Sequence, residues 1–148
     1  MREILFRGKS IYADNPSTPG YWIEGSFVRN SILFDNIKTD VLHIIKPGEY
    51  LEICLDDTNE IWPETIGQFT GLYDKNDKKI FEGDIVKTKY GRLCIVTWFT
   101  SNQECCWDLK PVDTAKNIRM RAPTRIDLYS KDNLEVKGNI HDNPELLR

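Results

Sequence analysis

Residues 67–86, GQFTGLYDKNDKKIFEGDIV, constrain the fold more than any other stretch of the chain. Two turn signals, DKND at 74–77 and EGD at 82–84, each stand between apolar runs. Asp and Asn tolerate left-handed backbone and bond their own main chain, so the first signal predicts a hairpin joining residues 69–73 to 79–81. The second predicts a sharp reversal at Gly83 into a strand that begins near Ile85. Neither turn carries the residues of a catalytic loop. Gly67, Gly71 and Gly83 are too dispersed to cradle a phosphate, and no G-x-x-x-x-G-K-[ST] pattern occurs.

Before this stretch the chain reads as strands separated by loops. Residues 3–7 form a short strand ended by Gly8, and 14–20 (DNPSTPG) can only be a loop. Residues 21–28 (YWIEGSFV) resume an extended run and pair back on the first as a hairpin, with Gly25 marking a bulge or a close backbone crossing. Strands at 31–34 and 41–45 flank a polar turn at 35–40. A turn at Lys46-Pro47-Gly48-Glu49 leads to a strand at 50–55, and 56–59 turns the chain again. Pro63-Glu64-Thr65 suits a single helical turn at the seam between the halves. No segment of the N-terminal half holds apolar spacing near 3.6 for more than two turns, so that half is β-rich.

Beyond the seam, residues 85–90 form a strand broken at Gly91. Residues 93–99 (LCIVTWF) follow as the strongest strand, apolar on both faces and therefore expected to be central and covered on both sides. Residues 105–109 pair with it across the turn at 101–103, residues 111–124 are irregular with a short helix over 114–119, and 125–129 and 134–140 are closing strands. In the last, Leu134, Val136 and Ile140 point inward and Glu135, Lys137 and Asn139 outward. Asn143 and Pro144 then suit the start of one short helical turn. Short strands and a glycine break over 83–140 fit a small SH3-like barrel better than a sandwich. The fold class is thus mainly β with little helix: a β-rich portion over 1–66 and an SH3-like barrel over 67–148.

The chain has 148 residues, a net charge of -3, and four Trp, six Tyr and six Phe to fill an interior. A mildly acidic chain argues against gripping a whole duplex, which wants a basic face. No apolar run approaches the roughly 18 residues of a spanning helix, and the short apolar run in MREILFRGKS, flanked by charge, does not suit a signal-peptide core. A cytoplasmic protein with no membrane contact is expected. The cysteines, Cys54, Cys94, Cys105 and Cys106, lack paired C-x-x-C spacing and read as small buried hydrophobes.

The ordered blocks MREILFRGK, YWIEG, PETIGQFTGLYDKNDKKIFEGDIV and EVKGNIHDNPELL resemble the signature of the YopX family, small proteins encoded by bacteriophages and prophages. The resemblance spans nearly the whole chain. It implies an SH3-like barrel behind an N-terminal β-rich portion, and a homo-oligomer, a trimer. It implies no activity, because the family has none assigned, and it supplies no catalytic or binding residues. The chain departs from the pattern in the 14–20 loop, at Phe69, and at Lys137 and His141, where an apolar and an aromatic residue are expected.

Catalysis has little to work with. His43 sits in an apolar strand and His141 at a strand end before Asp142 and Asn143. Cys105 and Cys106 alternate faces, with no histidine or helix N-terminus nearby to lower a thiol pKa. Residues 74–77 resemble a fragment of a calcium loop but lack its glycine and its closing glutamate. No catalytic residue, metal ligand or cofactor is therefore assigned. What remains is basic and aromatic: Lys87, Lys89 and Arg92 beside a strand turn, and Arg119, Arg121 and Arg125 in one loop near Trp98 and Trp107, partly neutralised by Glu82, Asp84 and Asp127. SH3-like barrels bind peptides or nucleic acid through such rims. The expected function is a non-enzymatic phage accessory module that binds a macromolecule through Lys87, Arg119, Arg121, Arg125, Trp98 and Trp107. An unknown protein partner is favoured over nucleic acid, and a structural, self-associating role is the alternative.

Overall fold

The structure, a computed structural model, describes residues 4–12, 21–34, 36–46, 59–112 and 123–148. Among them are nine antiparallel strands and four 3-10 turns, with no α-helix. The chain divides into two compact units, Met1–Gln68 and Phe69–Arg148.

In the first unit, β1 (Phe6–Lys9) pairs with β2 (Trp22–Phe34), and β2 with β3 (Ile37–Ile45). β2 is longer than expected. The chain does not break between Val28 and Ser31, because Arg29 and Asn30 face Leu42 and Val41 in an unbroken ladder. The turn to β3 is correspondingly tighter than 35–40, with Asn36 at φ 61, a value Asn accepts more readily than most residues. Gly25 marks a close crossing, as its place in the strand implies. A Cβ there would stand 1.9 Å from the Ile45 carbonyl oxygen. Ile23, Leu42, Ile44 and Ile61 make the core, with Phe6, Phe27 and Ile66 against it. Pro63–Thr65 is the expected single turn, of 3-10 type. The Thr65 hydroxyl accepts the Lys9 N–H (2.8 Å) and donates to the Trp62 carbonyl (2.6 Å), tying that turn to β1. The 14–20 loop, the turn after Lys46, the 50–55 strand and Cys54 lie outside the described residues.

β4 (Gly67–Tyr73) pairs with β1 through Gly67 and Gln68, and with β5 (Lys79–Phe81) through Phe69 and Tyr73. The hairpin predicted across 74–77 is present. Asp77 takes φ 61, and Asp74 Oδ1 accepts the N–H groups of Asn76 (2.8 Å) and Lys78 (3.0 Å). This is a plain Asx-closed turn rather than a cation loop. Gly83, at φ 86, reverses the chain into β6 (Asp84–Thr88), which stops short of residue 90 because Lys89 and Tyr90 already belong to the turn at Gly91, φ 83.

The second unit is built on a four-stranded sheet in the order β8-β7-β6-β9, where β7 is Leu93–Thr100, β8 Cys105–Pro111 and β9 Leu134–Asn139. One face, with Val86, Cys94, Val96, Trp107, Leu109 and Leu134, packs with Ile80 and Ile126 into the core. β7 is central, as predicted, but not covered on both sides: Cys94 and Val96 are buried, whereas Leu93, Ile95 and Phe99 on its second face are half-buried. The strand expected at 125–129 is instead a bridge at Arg125, opposite Asp108, followed by a 3-10 turn at Ile126–Leu128. In β9 the ladder shifts between Ile85 and Val86, so that Asp84 faces Asn139 and Val86 faces Val136. A one-residue shift inverts the side-chain faces beyond it. Asn139 is accordingly buried, where simple alternation had put it outside, while Lys137 stays exposed and donates to Glu135 (3.1 Å). Pro144–Leu147 forms the expected last turn, but the Asn143 side chain does not cap it. Its Oδ1 accepts the Asn139 N–H (3.2 Å) instead. The helix considered at 114–119 lies outside the described residues.

Candidate interface at the Trp98–Trp107 corner

The β7–β8 ladder sets Trp98 directly opposite Trp107. Their rings meet edge to face with centroids 4.8 Å apart, the geometry aromatic quadrupoles favour. The two differ sharply in exposure. Trp107 lies in the core at 8% exposure and Trp98, near the turn that joins β7 to β8, at 50%. The Trp107 indole N–H is buried without an acceptor among the described residues, a deficit of the kind that costs about 1–3 kcal/mol. Beside the pair, the turn at 101–104 is closed by Ser101, whose N–H donates to the Glu104 carbonyl (2.8 Å) and whose Oγ accepts the Glu104 N–H (3.2 Å). Cys105 then opens β8, exposed.

Of the other expected site residues, Arg125 and Lys87 do not gather here. Bridge partners share a face, so Arg125 projects with Asp108 and Cys106, and pleat alternation puts Trp107 and Trp98 on the opposite side. Arg125 is committed to Asp127 in a two-point fork, Nε to Oδ1 at 3.1 Å and Nη2 to Oδ2 at 2.8 Å. That bond holds the Asp127 carboxyl below the usual carboxylate range and raises the arginine. Lys87 is exposed on β6 opposite Leu93, so the Trp98 end of β7 is roughly 17 Å along the strand at about 3.4 Å per residue. It lines, with Lys75 and Lys89, a separate mixed-charge recess that also holds Asp132 and Glu135, where Lys75 pairs with Glu135 at 2.9 Å. Arg119 and Arg121 lie outside the described residues. Of the acids thought to neutralise the patch, Asp84 is a buried structural group whose Oδ2 accepts the Phe81 N–H (2.8 Å).

Nucleophile and base chemistry fares no better. Burial, the largest influence, together with the nearby Glu104 pushes the Cys106 thiol up, away from the thiolate a nucleophile needs. His43 is buried at 5% exposure, and among the described residues its Nδ1 has no hydrogen-bond partner, so it is packed but not bonded there as expected of a core imidazole. His141 is half-buried, its N–H donated to Asn139 Oδ1 (3.0 Å). Among the described residues no group of three or more His, Cys, Asp or Glu is placed to hold a metal ion.

A second meeting of cations and indole went unread in the sequence. Arg7 and Lys9, two apart on β1, lie on one face with Glu24 and Trp22 opposite them. The Arg7 guanidinium stands 4.7 Å and the Lys9 ammonium 5.9 Å from the Trp22 ring centroid, and both cations are buried. The i, i+2 basic pair facing a Trp across a predicted hairpin was the available signal.

Among known proteins, the family model described as YopX protein matches residues 24–148. No curated protein matches the chain. A solved structure, that of protein EF1440 from Enterococcus faecalis, is 22% identical over 100% of both chains, with a TM-score of 0.44.

Proposed function

The chain belongs to the YopX family, and from that membership and the geometry of its second unit we propose that it is a non-enzymatic accessory protein of a phage or prophage, acting in the bacterial cytoplasm by binding a protein partner. The contact is Trp98 with the adjoining 101–105 segment. The observation that carries this reading is a half-exposed indole resting edge-on against a buried one whose N–H has no acceptor among the described residues. Tryptophans held on a rigid backing are the residues that dominate binding energy at protein interfaces, since little freedom remains to be lost on contact. Protein is favoured over nucleic acid because Arg125 already has its charge matched by Asp127 and faces away from the tryptophans. The raised Cys106 thiol and the burial of His43 support a binding role over a catalytic one.

We read this unit as an SH3-like barrel, its four strands β8-β7-β6-β9 forming an open sheet rather than a closed ring. The Arg125 bridge extends it beyond β8, and the 3-10 turns from Ile126 carry the chain from that edge to β9 at the other. Barrels of that kind recognise extended peptides beside rim aromatics.

The test is affinity capture with wild type and Trp98→Ala from cells expressing the partner phage genes, together with light scattering of both proteins alone. Wild type is expected to retain a stoichiometric protein that Trp98→Ala loses. If the partner is a second copy of the chain, the wild-type particle mass exceeds that of the variant. Identical captures and identical masses refute the assignment. A nucleic-acid ligand would reveal itself by an affinity that falls steeply with salt.

A further inference from the structure

A second opening lies at the other end of β7. Leu93, Val112, Leu146 and Leu147 form an apolar floor beneath a cavity of about 560 Å3, whose wall is completed by Tyr90, Gly91, Arg92 and Arg148. This volume falls inside the roughly 300–1,000 Å3 of small-molecule sites. Its floor is fixed by backbone bonds. The Val112 N–H donates to the Leu93 carbonyl (3.0 Å), and the final turn is held by Asn143 N–H to the Asn139 carbonyl (2.9 Å) and Leu146 N–H to the Asn143 carbonyl (3.1 Å). The four apolar side chains remain only half-buried. At the rim, the Arg92 and Arg148 guanidinium groups enter no hydrogen bond or ion pair among the described residues. Tyr90 stands 79% exposed, with the Lys89 ammonium 4.9 Å from its ring centroid.

Hydrocarbon below and unmatched guanidinium above define the chemistry of an occupant: an apolar body ending in one anionic head. We propose that this cavity binds a small amphipathic carboxylate, its hydrocarbon chain on Leu93, Val112, Leu146 and Leu147 and its carboxylate on Arg92. Guanidinium is suited to this role, since its planar fork meets both carboxylate oxygens. The site is separate from Trp98 and independent of the protein-binding reading.

Calorimetric titration of the full chain with decanoate, decanol and decyltrimethylammonium, each kept monomeric, tests it. Decanoate is expected to bind one per chain, decanol about tenfold weaker, and the ammonium analogue not measurably. Arg92→Glu should weaken decanoate about tenfold or more, and Arg92→Lys should retain part of the binding. Arg92 is exposed, so these variants are expected to fold, which unchanged circular dichroism confirms. As a check that does not use Arg92, saturating decanoate should raise the thermal midpoint of wild type and leave that of Leu146→Asp unmoved. No saturable decanoate binding, equal affinity for decanol, or an Arg92→Glu variant that binds like wild type would each overturn the proposal.

Discussion

Asp74 shows how much a single side chain can fasten. Besides closing its own turn through Oδ1, it accepts the Val136 N–H on Oδ2 (2.9 Å), while its neighbour Lys75 donates its N–H to the Leu134 carbonyl (2.9 Å). Burial pushes the Asp74 carboxyl up, but the N–H groups of Val136, Lys78 and Asn76, with the Lys78 charge, outweigh it and hold the group below its ordinary 3.8. A carboxyl depressed in the folded state stabilises above its unfolded value, and that contribution fades as pH falls through the folded one. Wild type should therefore lose stability as pH drops below about 4, and Asp74→Asn should flatten this acid limb in denaturant titrations taken across it. At neutral pH the same variant, which sets an amide N–H against the Val136 N–H, should cost about 1–3 kcal/mol. Gly25→Ala is a second residue-scale case. Its new methyl would meet main chain at Ile45, which cannot swing aside, so a loss of about 1–3 kcal/mol or more is expected in urea unfolding. Both positions were partly legible in the sequence: Asp74 as a turn residue, Gly25 as a crossing. Their partners at Val136 and Ile45 were not, because turn chemistry is local whereas the strand brought alongside is set by the whole fold.

At the scale of elements, the two tryptophans predict opposite costs for the same substitution. Trp107→Ala removes a core ring and should lower stability by about 3–5 kcal/mol, while Trp98→Ala should cost less than about 1 kcal/mol in the same equilibrium unfolding experiment. Equal losses would mean that Trp98 is a packing residue, and the proposed interface would fall. Strand existence was readable wherever alternation or a turn signal bounded it, as in β4, β5, β7 and β8. The misreadings share a cause. Asn139 faces inward because a ladder shift reverses the pleat, and no alternation rule contains a shift. Residues 126–128 satisfy a strand pattern, yet only Ile126 among them enters the core, and a 3-10 turn delivers it there. Arg125 parts from the expected binding rim for a similar reason. Closeness in sequence of Arg125 to the tryptophan strand says nothing of which face each side chain takes.

Taken as a whole molecule, the chain draws its order from distant partners. β1 pairs with Gly67 and Gln68 at one side and β2 at the other, and β6 is sandwiched between β7 and the much later β9. Such non-local pairing must close long loops before contacts repay them, so refolding followed by stopped-flow circular dichroism should occupy milliseconds to seconds rather than microseconds. A microsecond phase carrying the full amplitude would contradict the described topology. The indole pair on β7 and β8 has one more consequence. Two coupled chromophores held edge to face, one buried and one half in water, form a built-in optical gauge. Their emission wavelength and quenching should shift the moment anything settles on the outer ring, so the chain can announce its own ligand without a dye.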